Sequence, residues 1–164
     1  MRILGLDLGG RRIGVALSDP SAWLATPLTV LCCSNRESEI AAIEELVRKH
    51  QVDRVVVGFP RSLDGALGPQ ALRVERYVFH IRARLQVPVI LWDERLSTAQ
   101  AERMIHESGR RVQRERIDSA AAAVILQSYL DAQSPMGGTE AEVTSDETVR
   151  QSPAQGPQAQ QNSG

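Results

Sequence analysis

RILGLDLGGRRIGVALSD, residues 2–19, holds two apolar runs on either side of Gly9 and Gly10. Glycine takes the positive φ of a tight turn without steric cost, so the stretch reads as a β-hairpin turning at that pair. Alternation along the first run sets Ile3, Gly5 and Asp7 on one face and Leu4, Leu6 and Leu8 on the other. Asp7 then interrupts a buried strand, where a charge is costly unless it is paired or bound to metal. The small Gly5 and Gly9 leave room beside it for a ligand to approach the backbone. The alternative is an aspartate that hydrogen-bonds the Gly-Gly turn, and spacing does not separate the two.

Working outward, TPLTVLCC (26–33) reads as a third β run. Between Glu37 and His50, Ile40, Ile43, Leu46 and Val47 recur at helical spacing, which predicts an amphipathic helix against the sheet. RVVVGF (54–59), ended by Pro60, has the continuous apolar character of a central parallel strand covered on both faces. A Gly-rich loop leads to a second helix over 70–85, and VPVILWDE (87–94) follows as an edge strand with Pro88 near its start. Ser97 and Gln100 form a capping box for another helix. A basic linker from Gly109 to Arg116 then precedes a last helix from about Ser119 to Asp131. The order βββαβαβαα predicts an α/β fold with a five-stranded mixed sheet: three antiparallel strands, then two parallel ones reached by right-handed crossovers.

At 164 residues the chain has room for one domain with a real core, expected over residues 1–133. Residues 134–164 are rich in Gly, Pro, Gln, Ser and Thr and hold too little apolar surface to offset the cost of ordering, so they read as a disordered tail. The formal charge of −1 conceals an asymmetry: residues 1–133 carry 18 Lys/Arg against 16 Asp/Glu, the tail one against four. That weakly basic balance neither announces nor excludes a nucleic-acid partner. Cys32 and Cys33 are adjacent and lack spaced partners for a metal site or a disulfide framework, so they read as buried thiols in a reducing compartment. No apolar stretch approaches the roughly 20 residues of a membrane span, and a cytoplasmic protein is expected.

Besides Asp7, two more acidic positions stand at element ends. Asp93 and Glu94 close the last strand, where neighbouring side chains face opposite ways, so only one of them looks toward Asp7. Alternation alone does not choose. Asp118 opens DSAAAAVIL, whose alanines let a helix lie close to a sheet and carry a short carboxylate inward, although Asp is also a favoured helix N-cap. Convergent carboxylates repel and raise one another's pKa, a conflict that a divalent cation resolves. Oxygen-only ligands suit Mg²⁺ or Mn²⁺, and a pair of such ions about 4 Å apart hydrolyses phosphodiesters without a protein nucleophile.

LDLGGRRIGVALSD, VVVGFP with LDG and GPQA, WDERLST and RIDSAAAAVIL together resemble the YqgF, or RuvX, family over about residues 2–131. That resemblance implies a ribonuclease H-like fold, kinship with Holliday-junction resolvases, and a metal-dependent nuclease that matures the 5′ end of 16S ribosomal RNA. It implies Asp7, Glu94 and Asp118 as the catalytic, metal-binding acids, selecting Glu94 over Asp93. Arg11, Arg12, Arg95, Arg110 and Arg111, with Arg103, Arg114 and Arg116 nearby, are the candidates for holding a phosphate backbone. Precursor rRNA and ribosomal particles are the expected partners of a monomer, whereas branched DNA cut by a dimer is the alternative within the class. Two departures stand out. Arg61 and Ser62 replace the usual Leu-Asn, and Gly10 replaces a Thr or Ser of the turn. Asp64 reads as part of an Asp-Gly turn, and His50, His80 and His106 as structural. DLGGRRIG also resembles the phosphate loop of the actin, hexokinase and Hsp70 ATPases, but those need a second half-domain that 164 residues do not supply. A non-catalytic nucleic-acid or ribosome-binding module is the remaining alternative.

Overall fold

A computed structural model of the chain describes residues 1–32, 34–60, 67–93 and 113–134. The opening hairpin is present: β1 (Ile3–Leu8) pairs antiparallel with β2 (Ile13–Ser18), and Asp7 lies opposite Gly14. Its turn differs from expectation. Neither Gly9 nor Gly10 lies in the left-handed region; Gly9 is required because a Cβ there would stand 2.6 Å from the Arg12 carbonyl oxygen. The Gly9 N–H donates to that oxygen at 2.9 Å and to the Asp7 main-chain carbonyl at 3.2 Å.

Strand β3 (Ala25–Leu31) adds antiparallel to β2, while β4 (Arg54–Phe59) and β5 (Val89–Asp93) add parallel to β1. The sheet order is β3-β2-β1-β4-β5, the five-stranded mixed arrangement read from the sequence. Helix α1 (Arg36–Lys49) connects β3 to β4 and is capped by Asn35, whose side chain accepts from the Ser38 N–H at 2.9 Å. Helix α2 (Pro69–Arg84) connects β4 to β5, with Pro69 in its first turn where no N–H is needed.

Alternation divides the core into two layers. Leu4, Leu6 and Leu8 pack with Val55 and Val57 against Ile40 and Ile43 of α1 and Val74, Val78 and Ile81 of α2. Ile3, Ala16 and Val56 face the other way, onto Ala122, Ile125, Leu126 and Tyr129 of α3 (Gln113–Gln133). That helix begins six residues before the expected Ser119, inside the stretch read as a basic linker. Gln, Arg and Glu are good helix formers and no Gly or Pro interrupts residues 113–133, so charge density there was not a loop signal.

Two glycines let α3 rest on the strands. A Cβ on Gly5 would meet Leu126 Cβ at 2.7 Å and the Ala122 carbonyl oxygen at 3.1 Å. A Cβ on Gly14 would stand 1.9 Å from the Asp118 carbonyl oxygen, so helix backbone lies directly on strand backbone. The room expected beside Gly5 for a ligand is taken by the helix instead. Farther along, the Gln127 side chain accepts from the Ala25 N–H at 2.9 Å and donates to the Trp23 carbonyl at 3.0 Å, tying α3 to the strand β3 edge. Tyr129 accepts from Arg54 at 2.6 Å and takes the edge of Trp92 at 5.3 Å between ring centroids.

The helix expected at Ser97 and the tail from residue 135 lie outside the described residues. Cys32 is exposed rather than buried, because it lies just past the end of edge strand β3, where residues are only half-covered; Cys33 is outside the described set. Substituting the glycines separates contact from conformation. Gly14→Ala should lower unfolding stability by about 2–3 kcal/mol or more, since backbone must move to admit the methyl group. Gly10→Ala, whose Cβ would meet nothing within 4 Å, should change it by less than about 0.5 kcal/mol in the same urea titration.

Candidate active site

Asp7 stands at the end of β1 on the α3 face, and its cross-strand partner Gly14 carries the Asp118 backbone. Those two contacts bring Asp7 and Asp118 together. The Asp7 carboxyl is pushed from the ordinary 3.8 up to about 6, first by burial and then by the charge of Asp118. The Gly9 N–H of the turn donates to main-chain carbonyls, and among the described residues no hydrogen bond reaches the Asp7 carboxylate.

Asp118 is not a helix N-cap. It lies in the second turn of α3, with the backbone of Gln113 to Ile117 already helical before it. Its carboxylate meets Arg12 at 3.7 Å, and both side chains are about one-third exposed (34% and 38%). Arg12, expected to grip nucleic acid, is thus also the cation nearest this acid among the described residues. Arg11 beside it is exposed on the turn. Ile90 and Trp92 pack on the α3 layer whereas Leu91 packs on the α1/α2 layer, so alternation assigns Asp93 to the face opposite Asp7.

Glu94, Arg61, Ser62, Asp64, Arg95, Arg103, Arg110, Arg111 and His106, and the side chains of Arg114 and Arg116, lie outside the described residues. His50 closes α1 as its C-cap, and His80 is exposed with its ring edge-on to Phe79. Sequence reasoning missed Gly14. A glycine inside a strand marks close backbone approach, and that signal was available. The two acids offer only oxygen donors, with a buried carboxyl already strained by a like charge. That donor set fits a hard divalent cation and has no use for a soft metal. No group of three or more metal-ligating side chains exists among the described residues, Glu94 being beyond them.

A family model described as RuvX, Holliday junction resolvase, matches residues 1–132. The chain belongs to the RuvX family. A Moorella thermoacetica protein named as a candidate pre-16S rRNA nuclease is 48% identical over 133 residues, covering 80% of this chain and 95% of that protein. A similarly named protein of Caldanaerobacter subterraneus is 45% identical over 136 residues, covering 81% and 98%. RuvC of T. thermophilus, solved with a Holliday junction substrate, shares the fold at a TM-score of 0.52 and 20% identity, covering 80% of this chain and 95% of that one. The fowlpox virus Holliday junction resolvase does so at 0.50 and 14%, covering 80% and 99%. The sheet is therefore the ribonuclease H-like one expected, and this RuvX member is a phosphodiester-cleaving nuclease. No helix among its described residues is long and apolar enough to cross a membrane.

Burial of Asp7 predicts a pH-dependent stability in metal-free protein. An acid whose folded pKa is raised binds its proton more tightly when folded, so its contribution is fullest below about pH 4 and is lost as pH rises through about 6. Asp7→Asn removes that loss. In EDTA its unfolding free energy should exceed that of wild type above pH 7 by up to roughly 3 kcal/mol, read from urea titrations, and converge with it near pH 4. A constant difference across that range would contradict the buried, ionisable Asp7.

Proposed function

We propose that this RuvX member is a metal-dependent endonuclease that matures the 5′ end of precursor 16S rRNA, with Asp7, Glu94 and Asp118 holding Mg²⁺ or Mn²⁺, expected as two ions. The observation that carries the reading is the pairing of Asp7 with Asp118 at the end of β1, where burial and like charge keep the Asp7 carboxyl near pH 6. Two acids so placed gain from a divalent cation what they lose by proximity. Glu94 is the third ligand of this reading: Asp93 faces away, and the DERLST motif resemblance names Glu94. Asp7, Glu94 and Asp118 would hold the divalent cation, which when bound would supply Lewis acidity toward the attacking water and the leaving oxygen.

The chain's own residues supply the rest. The Asp7 backbone is held by its pairing with Gly14 in β2, which fixes where its side chain leaves the sheet. Asp118 is fixed by the seat of its carbonyl on Gly14. Arg12 neutralises part of the Asp118 charge and, with Arg11, Arg95, Arg110 and Arg111, grips backbone phosphates. The catalytic domain is residues 1–133, and residues 134–164 are a tail outside it. Precursor ribosomal particles are the expected partner, in the cytoplasm, and the protein acts as a monomer.

A second reading is favoured by the family description and by the fold shared with RuvC: resolution of branched DNA by a dimer. Both use the same acids. Cleavage of precursor rRNA and of a four-way DNA junction by the purified protein, with its mass in solution, separates them. In either assay Asp7→Asn should abolish Mg²⁺- or Mn²⁺-dependent cutting while the circular dichroism stays native. Cutting at the wild-type rate would end the metal-acid mechanism.

A further inference from the structure

On the face of the hairpin turn away from Asp118, a cavity of about 290 Å³ opens between the β1–β2 turn, the start of α1 and the first turns of α2. Its walls are Leu8, Gly9, Gly10 and Ile13 of the hairpin, with Arg36 and Glu39 of α1 and Arg73, Val74 and Tyr77 of α2. We infer that this cleft binds a nucleotide unit of the substrate strand, its phosphate held by Arg36 and Arg73, next to the linkage cut at Asp7 and Asp118. The inference rests on the nuclease reading and adds to it a phosphate site outside the arginines already named.

The cleft is assembled around Tyr77. That ring is buried, its hydroxyl donates to Glu39 at 2.9 Å, and the Arg36 guanidinium lies 6.0 Å from its centroid. Arg73 donates to the Gly9 carbonyl, the turn residue two positions after Asp7. One guanidinium offers five N–H donors, so that bond leaves most of Arg73 open to a ligand. Among the described residues neither arginine is in an ion pair. Planar forks without carboxylate partners, both lining one cavity, match the geometry of a phosphodiester oxygen pair. Glu39 shares the space and disfavours a bare anion. It favours instead a unit that also brings a donor, such as a ribose hydroxyl or a base amino group, and the cavity has room for one.

The position follows from the turn. Gly10 is exposed, and a Cβ there would meet nothing, so the entrance beside it is open. A strand whose scissile phosphate lies on the Asp7 and Asp118 side crosses this turn to reach Arg73. The same residue that holds Gly9 therefore holds the strand on the far side.

The test measures binding of a labelled single-stranded RNA and of a four-way DNA junction by fluorescence anisotropy in Ca²⁺, alongside cleavage in Mg²⁺. Arg36→Gln and Arg73→Gln should each weaken binding about three- to tenfold and reduce the slope of log affinity against log salt by about 1. Arg73→Lys, which keeps a donor for Gly9, controls for disturbance of the turn. Arg36→Gln should raise KM and leave kcat unchanged. Wild-type affinity and salt slope in all three variants would overturn the cleft while the nuclease reading stands. Weakened binding with no cleavage by wild type would support the cleft and sink the nuclease. Adenosine monophosphate binding to wild type as tightly as the strand, and losing affinity in the variants, would mean a free-nucleotide site and overturn the strand assignment. Failure of wild type to bind or cut any nucleic acid overturns both.

Discussion

The close approach of α3 backbone to β2 backbone at Gly14 is the constraint on which the rest of the structure depends. Any side chain at that position would push the helix away, and the Asp118 carbonyl that rests there would rise with it. Because Gly14 pairs with Asp7, the same seat sets the separation of the two acids. The Gly5 contact with Leu126 repeats the arrangement toward the middle of the helix, so the seam between sheet and α3 is built from strand glycines and helix alanines near Asp118 and from larger side chains such as Tyr129 at the far end. Packing and chemistry are one requirement here.

That requirement carries a cost. Burial withdraws the Asp7 carboxyl from water and Asp118 adds a like charge, and both raise its pKa. Active sites commonly hold groups whose environment opposes their charge, because a ligand present only in the working state relieves the conflict. Asp19 is spared such a conflict: it accepts from the backbone N–H groups of Leu24, Trp23 and Ser21 and is held below its ordinary pKa. Nothing comparable reaches the Asp7 carboxylate among the described residues, so the difference between the two aspartates is one of assigned surroundings, not of residue type.

Legibility in the sequence followed the range of the interactions involved. Alternation in residues 3–8 and the continuous apolar run of 54–59 are local patterns, and the strands they predict are present to within a residue. The start of α3 differs from expectation because clustered charge resembles a loop, although Gln113, Arg114, Glu115 and Arg116 all favour a helix. Gly9 was assigned the right turn for the wrong reason, since its need is close approach, not a positive φ. That Asp93 lies on the face opposite Asp7 required knowing which sheet layer Trp92 joins, and the exposure of Cys32 required knowing that β3 is an edge. Such facts arise only after strands have been ordered.

The placement of the acids at this edge also follows from topology. Strands β1, β4 and β5 run parallel, so their C-terminal ends, at Leu8, Phe59 and Asp93, share one side of the sheet. In open α/β sheets ligands gather at that side, where connections leave the strands and side chains escape the close packing of the core. Here β1 sits between an antiparallel neighbour and a parallel one, so its chain turns back at once through Gly9 while β4 and β5 send longer connections away. A short turn is stiff. It holds Asp7 on one face and presents Gly9 to Arg73 on the other, which makes the hairpin a fixed partition between the acid pair and the arginine-lined cleft. A strand bridging both would be positioned by elements that cannot shift independently, and orientation of that kind is what phosphodiester hydrolysis demands of the protein.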